Sequence, residues 1–138
     1  METILLIEHN TSIRENMNEY LELAGYKVFE TNNGSDGVDI AREYIPDLII
    51  SNLFMPRMDG FEVFRLILDN ESTCKIPFIY NTTMSQKKYM AEAFDMGADY
   101  YFIKPFSMEK LTKVIKTCIN CESRRCRKEY VPAAFVLS

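Results

Sequence analysis

The chain has 138 residues, 47% of them hydrophobic and 26% charged, with five Gly and five Pro. That is the size of one domain with a real core, and it excludes disordered, collagen-like and low-complexity classes. A formal charge of −4 argues against a general nucleic-acid binder. The balance is uneven along the chain, −6 over residues 1–121 and +2 over residues 122–138. The longest aliphatic run, Ile4-Leu5-Leu6-Ile7, falls far short of the roughly 20 residues of a membrane helix. Met1-Glu2-Thr3 lacks the cationic start of a signal peptide. A soluble, cytoplasmic protein is therefore expected.

Apolar periodicity alternates between strand-like and helix-like segments. Thr3–Ile7 reads as a strand buried on both faces. Ile13, Met17, Tyr20, Leu21 and Ala24 mark a helical stripe, with Ser12-Ile13-Arg14-Glu15 as its capping box and Gly25 just past its end. Lys27–Thr31 is β-prone; Asn33-Gly34 turns the chain, and Ser35 to about Glu43 reads as a second helix. Asp47–Ser51 is an apolar strand entered through Pro46, and Asp59-Gly60 precedes a helix carrying Phe61, Phe64 and Leu66–Leu68. Phe78–Asn81 is a strand, 86–96 a helix ending at Gly97, and Tyr100–Ile103 a strand stopped by Pro105. Ser107 caps a last helix whose stripe runs Leu111, Val114, Ile115, Cys118, Ile119.

Five strands alternating with five helices imply right-handed βαβ units and a parallel sheet covered on both faces. In such a doubly wound sheet the site lies at the carboxyl ends of the strands, beside the switch in strand order. Glu8, His9, Ser51, Asn52, Asn81, Thr82, Ile103 and Lys104 fall there. Four cysteines, at 74, 118, 121 and 126, do not make a secreted disulfide framework in so apolar a chain. Cys118-x-x-Cys121 raises metal or redox chemistry, but Cys118 lies on the apolar helix stripe and the one histidine, His9, is remote, so reduced thiols without a site role are expected.

The strand-end residues and five ordered motifs resemble the receiver domain of two-component response regulators over about residues 3–120. The motifs are Ile4–Glu8, Pro46–Ser51, Met55-Pro56-Arg57-Met58-Asp59-Gly60-Phe61-Glu62, Gly97-Ala98-Asp99 and Lys104-Pro105-Phe106. The resemblance implies a single flavodoxin-like (βα)5 domain with strand order 2-1-3-4-5, and phosphoryl transfer from a histidine kinase to an aspartate ending the third strand. It implies Mg²⁺ held by two acids after the first strand and by a backbone carbonyl, with a hydroxyl, an aromatic and a lysine as switch residues. Position by position, Glu8 takes the first acid, Phe54 the carbonyl, Thr82 the hydroxyl, Tyr101 the aromatic and Lys104 the lysine.

Two positions depart from that pattern: the second acid is His9 and the phosphoacceptor is Asn52. An amide is not a competent phosphoryl acceptor, because the aspartyl-phosphate mechanism needs a carboxylate nucleophile. Imidazole is a poor ligand for a hard cation. Two carboxylates about 4 Å apart repel by about 4 kcal/mol at an effective dielectric near 20, which makes a cation welcome; here Lys104 balances Glu8 without metal. The expectation is a pseudo-receiver over residues 1–121 that is not an enzyme, takes no cofactor and binds Mg²⁺ weakly or not at all. It acts on protein partners (a signalling protein, a histidine kinase or a second copy) through its fourth helix, fifth strand and fifth helix.

Glu8 with Lys104 also reads as a plain ion pair, and Tyr100-Tyr101-Phe102 as a large contact if it faces outward. The other readings are a phosphorylatable receiver using Asp59, Ser51 or deamidated Asn52, and a flavin- or nucleotide-binding enzyme. No G-x-G-x-x-G or P-loop supports the latter. Residues 122–138, basic and then apolar, are expected to extend the last helix or to form a linker.

Overall fold

The computed structural model describes residues 1–120; the expectations for Cys121, Cys126 and the 122–138 tail lie outside them. Ten elements alternate: β1 (Thr3–Ile7), α1 (Thr11–Leu23), β2 (Lys27–Thr31), α2 (Gly34–Tyr44), β3 (Leu48–Asn52), α3 (Gly60–Leu68), β4 (Phe78–Thr82), α4 (Lys87–Met96), β5 (Tyr100–Ile103) and α5 (Met108–Ile119). All four strand pairings are parallel, in the order β2-β1-β3-β4-β5. The expected flavodoxin-like fold is what forms.

The pleat sorts each strand's side chains between two apolar layers. Ile4 and Leu6 of β1 pack with Met17, Leu21, Leu111 and Ile115 under α1 and α5. Leu5 and Ile7 pack with Val38, Val63, Phe64 and Ile67 on the side of α2 and α3. A strand sandwiched this way needs apolar residues at every position, which is why β1 and β3 show no alternation. Cys118 is buried in the first layer, as its place on the α5 stripe implies.

Helix ends follow local chemistry. The Ser12–Glu15 capping box does not form. The α1 N-cap is Asn10, whose side chain accepts from Ile13 N–H at 2.9 Å. Asn caps as well as Ser does, and the chain turns into the helix directly after Glu8, so the earlier residue takes the role. Asn33 caps α2, which runs one residue further at each end than Ser35–Glu43. Asp59 caps α3 and Ser107 caps α5. Gly25 (φ +100) and Gly97 (φ +105) supply the left-handed residues that end α1 and α4.

Gly60 fixes how α3 meets the carboxyl end of β3. Its N–H donates to Leu53 O at 2.6 Å and its carbonyl accepts from the Tyr80 hydroxyl at 2.8 Å. A Cβ there would stand 2.5 Å from Asn52 O and 2.9 Å from Leu53 Cα, both backbone atoms that cannot swing aside. Gly60→Ala is expected to destabilise the domain by about 1–3 kcal/mol. Urea denaturation would show this as a lower midpoint at unchanged slope.

Candidate functional site

The switch in strand order falls at β1, flanked by β2 and β3, and the expected residues gather at its carboxyl edge. Glu8 follows the last residue of β1 and is fully buried. Its N–H donates to Thr31 O at 3.0 Å, and its carbonyl accepts from Arg14 Nη1 at 3.0 Å. One carboxylate oxygen, Oε1, lies 2.7 Å from Lys104 Nζ. The other, Oε2, accepts from Asn52 Nδ2 and from Asn10 N–H, both at 3.1 Å. Asn52 completes its amide with Oδ1 accepting from Leu53 N–H at 2.8 Å. The plain ion-pair geometry of Glu8 and Lys104 is thus present, with the Lys104 side chain only 12% exposed.

Thr82 and Tyr101 meet at the turn leading to α4. Thr82 Oγ1 accepts from Met84 N–H at 3.1 Å, while the Tyr101 hydroxyl donates to Met84 O at 2.7 Å. Lys104 N–H donates to Thr82 O at 2.7 Å, tying the end of β5 to that of β4. Tyr100, Tyr101 and Phe102 are buried, so the outward-facing aromatic contact considered from sequence does not exist. Burial in the β5 packing, with the Tyr101 ring 6.1 Å from that of Tyr80, takes its place. Burial pushes the Tyr101 hydroxyl up to about 12 and raises Tyr80 well above the ordinary phenol value.

The remaining residues stand apart from the cluster. His9 is exposed and lines a groove of about 500 Å³ with Asn32, Asn33, Arg57 and Met58. Phe54 is exposed, its ring edge-on to Tyr89 at 5.0 Å between centroids. Ser51 is buried and donates to Asn52 O at 2.9 Å. Asp59 accepts from Glu62 N–H at 2.9 Å as the α3 cap. Sequence reading missed Asn10 and Arg14, which hold Glu8 from the first turn of α1. Asn10 carried a legible cap signal; the reach of Arg14, which also lies 3.6 Å from Glu30, did not.

Mg²⁺ takes oxygen ligands, usually one or two carboxylates with an oxygen free to face the ion, together with waters or phosphate oxygens. Here Glu8 is the one carboxylate of the cluster, and donors occupy both its oxygens. Asn52 turns an N–H₂ toward it rather than an oxygen. Among the described residues no group of three His, Cys, Asp or Glu side chains converges. The donor set does not fit Mg²⁺.

A doubly wound five-stranded parallel sheet with its polar cluster at the carboxyl edge defines a flavodoxin-like α/β domain. The model of the response regulator receiver domain matches residues 4–116, and the chain belongs to that family. It is 33% identical over 124 residues to the DNA-binding dual master transcriptional regulator RpaA of Synechocystis, covering 90% of this chain and 52% of RpaA. The chain spans just over half the length of RpaA and of two further curated relatives it matches. Among solved structures, the receiver domain of a signal transduction histidine kinase from Syntrophus aciditrophicus superimposes with a TM-score of 0.82 at 29% identity, covering 91% of this chain and 95% of that one. The receiver domain of the sensor histidine kinase PA1611 from Pseudomonas aeruginosa, solved with magnesium in its active-site cleft, gives 0.80 at 25%, covering 86% and 97%. Receiver domains serve two-component signalling and are generally not enzymes. No helix of the described residues is long and apolar enough to cross a membrane.

Lys104→Met is expected to strand the buried Glu8 carboxylate and to cost about 3–5 kcal/mol in urea denaturation. The double variant Glu8→Gln, Lys104→Met should recover most of that loss, because no charge is then left unpaired. A spectrophotometric titration should separate Tyr101 and Tyr80 from the exposed tyrosines. The Tyr101 value is raised in the fold, so its contribution to stability is full below about pH 10 and is lost as pH rises toward about 12. Tyr101→Phe should remove one late-ionising phenol from that titration.

Proposed function

We propose that this chain is a pseudo-receiver: a receiver-family domain that signals by protein–protein contact and takes no phosphoryl group at Asn52. The observation that carries the reading is the Asn52 amide donating to Glu8 Oε2 while Lys104 holds Oε1. An amide nitrogen offers no nucleophilic oxygen to a phosphoryl donor. The lysine that would meet phosphoryl oxygens is already paired. Glu8 and Lys104 cancel in charge, so the pocket has little electrostatic reason to recruit Mg²⁺, and Mg²⁺ binding is weak or lost. The degenerate positions are Glu8, His9, Asn52 and Phe54, and the switch-equivalent ones Thr82, Tyr101 and Lys104.

Receiver domains interact with histidine kinases and other signalling proteins, and a protein partner or a second copy is the proposed ligand here. The proposed contact face is α4, β5 and α5. Tyr101 contributes to it from beneath rather than by surface contact, because its hydroxyl holds the Met84 carbonyl at the turn into α4. RpaA is described as DNA-binding, but this chain matches only part of it; the domain alone is proposed not to bind nucleic acid, in keeping with its net negative charge. A cytoplasmic location and a non-enzymatic role complete the reading.

Incubation with acetyl phosphate and Mg²⁺, followed by intact-mass measurement, should leave the protein mass unchanged. A stoichiometric phosphoryl adduct would overturn the reading. Peptide mapping would then locate the acceptor at Asp59, at Ser51 or at an aspartate produced by deamidation at position 52.

A further inference from the structure

The outer face of α1 is acidic. Glu15, Glu19 and Glu22 are exposed there and have no ion-pair partner among the described residues. Glu19 stands one turn before Leu23 on the same side of the helix. Leu23 is 82% exposed and Tyr20 39%, beside a groove of about 340 Å³ walled by Tyr20, Leu23, Ala24, Tyr26, Thr112 and Lys116. An exposed leucine by itself is ordinary, whereas apolar side chains grouped along a groove suit a docking site.

Thr112 and Lys116 place this groove against the second half of α5, which ends at Ile119 with Asn120 as its cap. Lys116 stands about 6 Å of helix rise from Asn120, so the chain leaves the described residues about one turn from the groove. It continues with a basic stretch, Arg124, Arg125, Arg127 and Lys128, and then an apolar one, Val131-Pro132-Ala133-Ala134-Phe135-Val136-Leu137. The chain from Asn120 to Val131 spans at most about 40 Å, ample for it to double back. Charge favours that return, since residues 1–121 carry −6 and residues 122–138 carry +2. The groove beside Met17, Phe106 and Met108 suits the segment less well. Met108 lies about 18 Å of helix from Asn120, and no carboxylate lines that groove to meet the arginines.

We propose that Val131–Leu137 docks into the α1–α5 groove of its own chain, with the basic stretch before it held by the acidic face of α1. Phe135 is the largest apolar side chain of the segment and fills the space beside Leu23 and Tyr26. Lys116, on the α5 lip, keeps the arginines on the α1 side by like-charge repulsion. The contact is intramolecular and stands whether or not Asn52 takes a phosphoryl group.

The test uses the full chain, followed by amide NMR and by limited digestion with trypsin, which cleaves after the basic residues of the segment. Phe135→Ser changes none of the described residues, and Leu23→Ser alters a side chain that is already 82% exposed, so both variants should fold. Phe135→Ser should shift the amides of Tyr20, Leu23, Ala24, Thr112 and Lys116 and leave those of Phe106 and Met108 in place. Trypsin should cleave after Arg125 and Arg127 about tenfold faster in either variant than in the parent chain, because cleavage follows the undocked population. The double variant should be cleaved no faster than either single one, since both remove the same contact. Four results would each overturn the proposal: groove amides unmoved by Phe135→Ser, shifts centred on Phe106 and Met108 instead, equal cleavage of parent and variants, or protection that rises with protein concentration, as exchange between copies gives.

Discussion

A carboxylate buried at the end of a central strand is the constraint around which the carboxyl edge is organised. Glu8 is wholly removed from water, and an unpaired charge in that position would cost several kcal/mol. Each feature around it supplies a donor. Lys104 reaches in from the end of β5, Asn52 from the end of β3, and Asn10 from the first turn of α1. Three chain segments far apart in sequence converge on two oxygen atoms. Next to this cluster, Gly60 lets α3 approach the Asn52 and Leu53 backbone at the end of β3.

The second organising point is Met84. Its N–H and its carbonyl are held by the hydroxyls of Thr82 and Tyr101, so one short turn reports on side chains from two strands. Lys104 N–H on Thr82 O joins that turn to the segment carrying the Glu8 ion pair. Under the proposed reading no phosphoryl charge is added at Asn52 to move this network. Only a partner that binds one arrangement of the turn more tightly than another shifts it. The helix after the turn suits that role: α4 has no side-chain cap at its N-terminus and buries only Ala93.

The sequence made much of this legible. Apolar runs without alternation marked β1 and β3 as strands covered on both faces, and the stripe Leu111, Val114, Ile115, Cys118 marked the buried side of α5. Proline and glycine positions placed the breaks within a residue or two. Strand-end position alone put Glu8, Asn52, Thr82 and Lys104 on one edge. The local detail that failed was the capping box at Ser12, where three consecutive residues, Asn10, Thr11 and Ser12, all satisfy cap chemistry and only the path out of β1 chooses Asn10. The facing of β5 was likewise open, because a run of three aromatics reads the same whether its rings are buried or exposed.

Residue type and order determined by themselves that the chain folds as a parallel α/β domain, and that the acceptor position holds an amide and the second acid position an imidazole. These are properties of side-chain chemistry and of periodicity, which are local. The tertiary structure alone decided that Asn10 and the Asn52 amide also meet Glu8, that His9 faces a separate groove, that Tyr101 turns inward to Met84, and that Asn81 Oδ1 has no partner among the described residues. Each of those outcomes depends on which atoms from distant segments come within hydrogen-bond reach once the interior is closed to water, and that distance is set by the packing of the whole sheet.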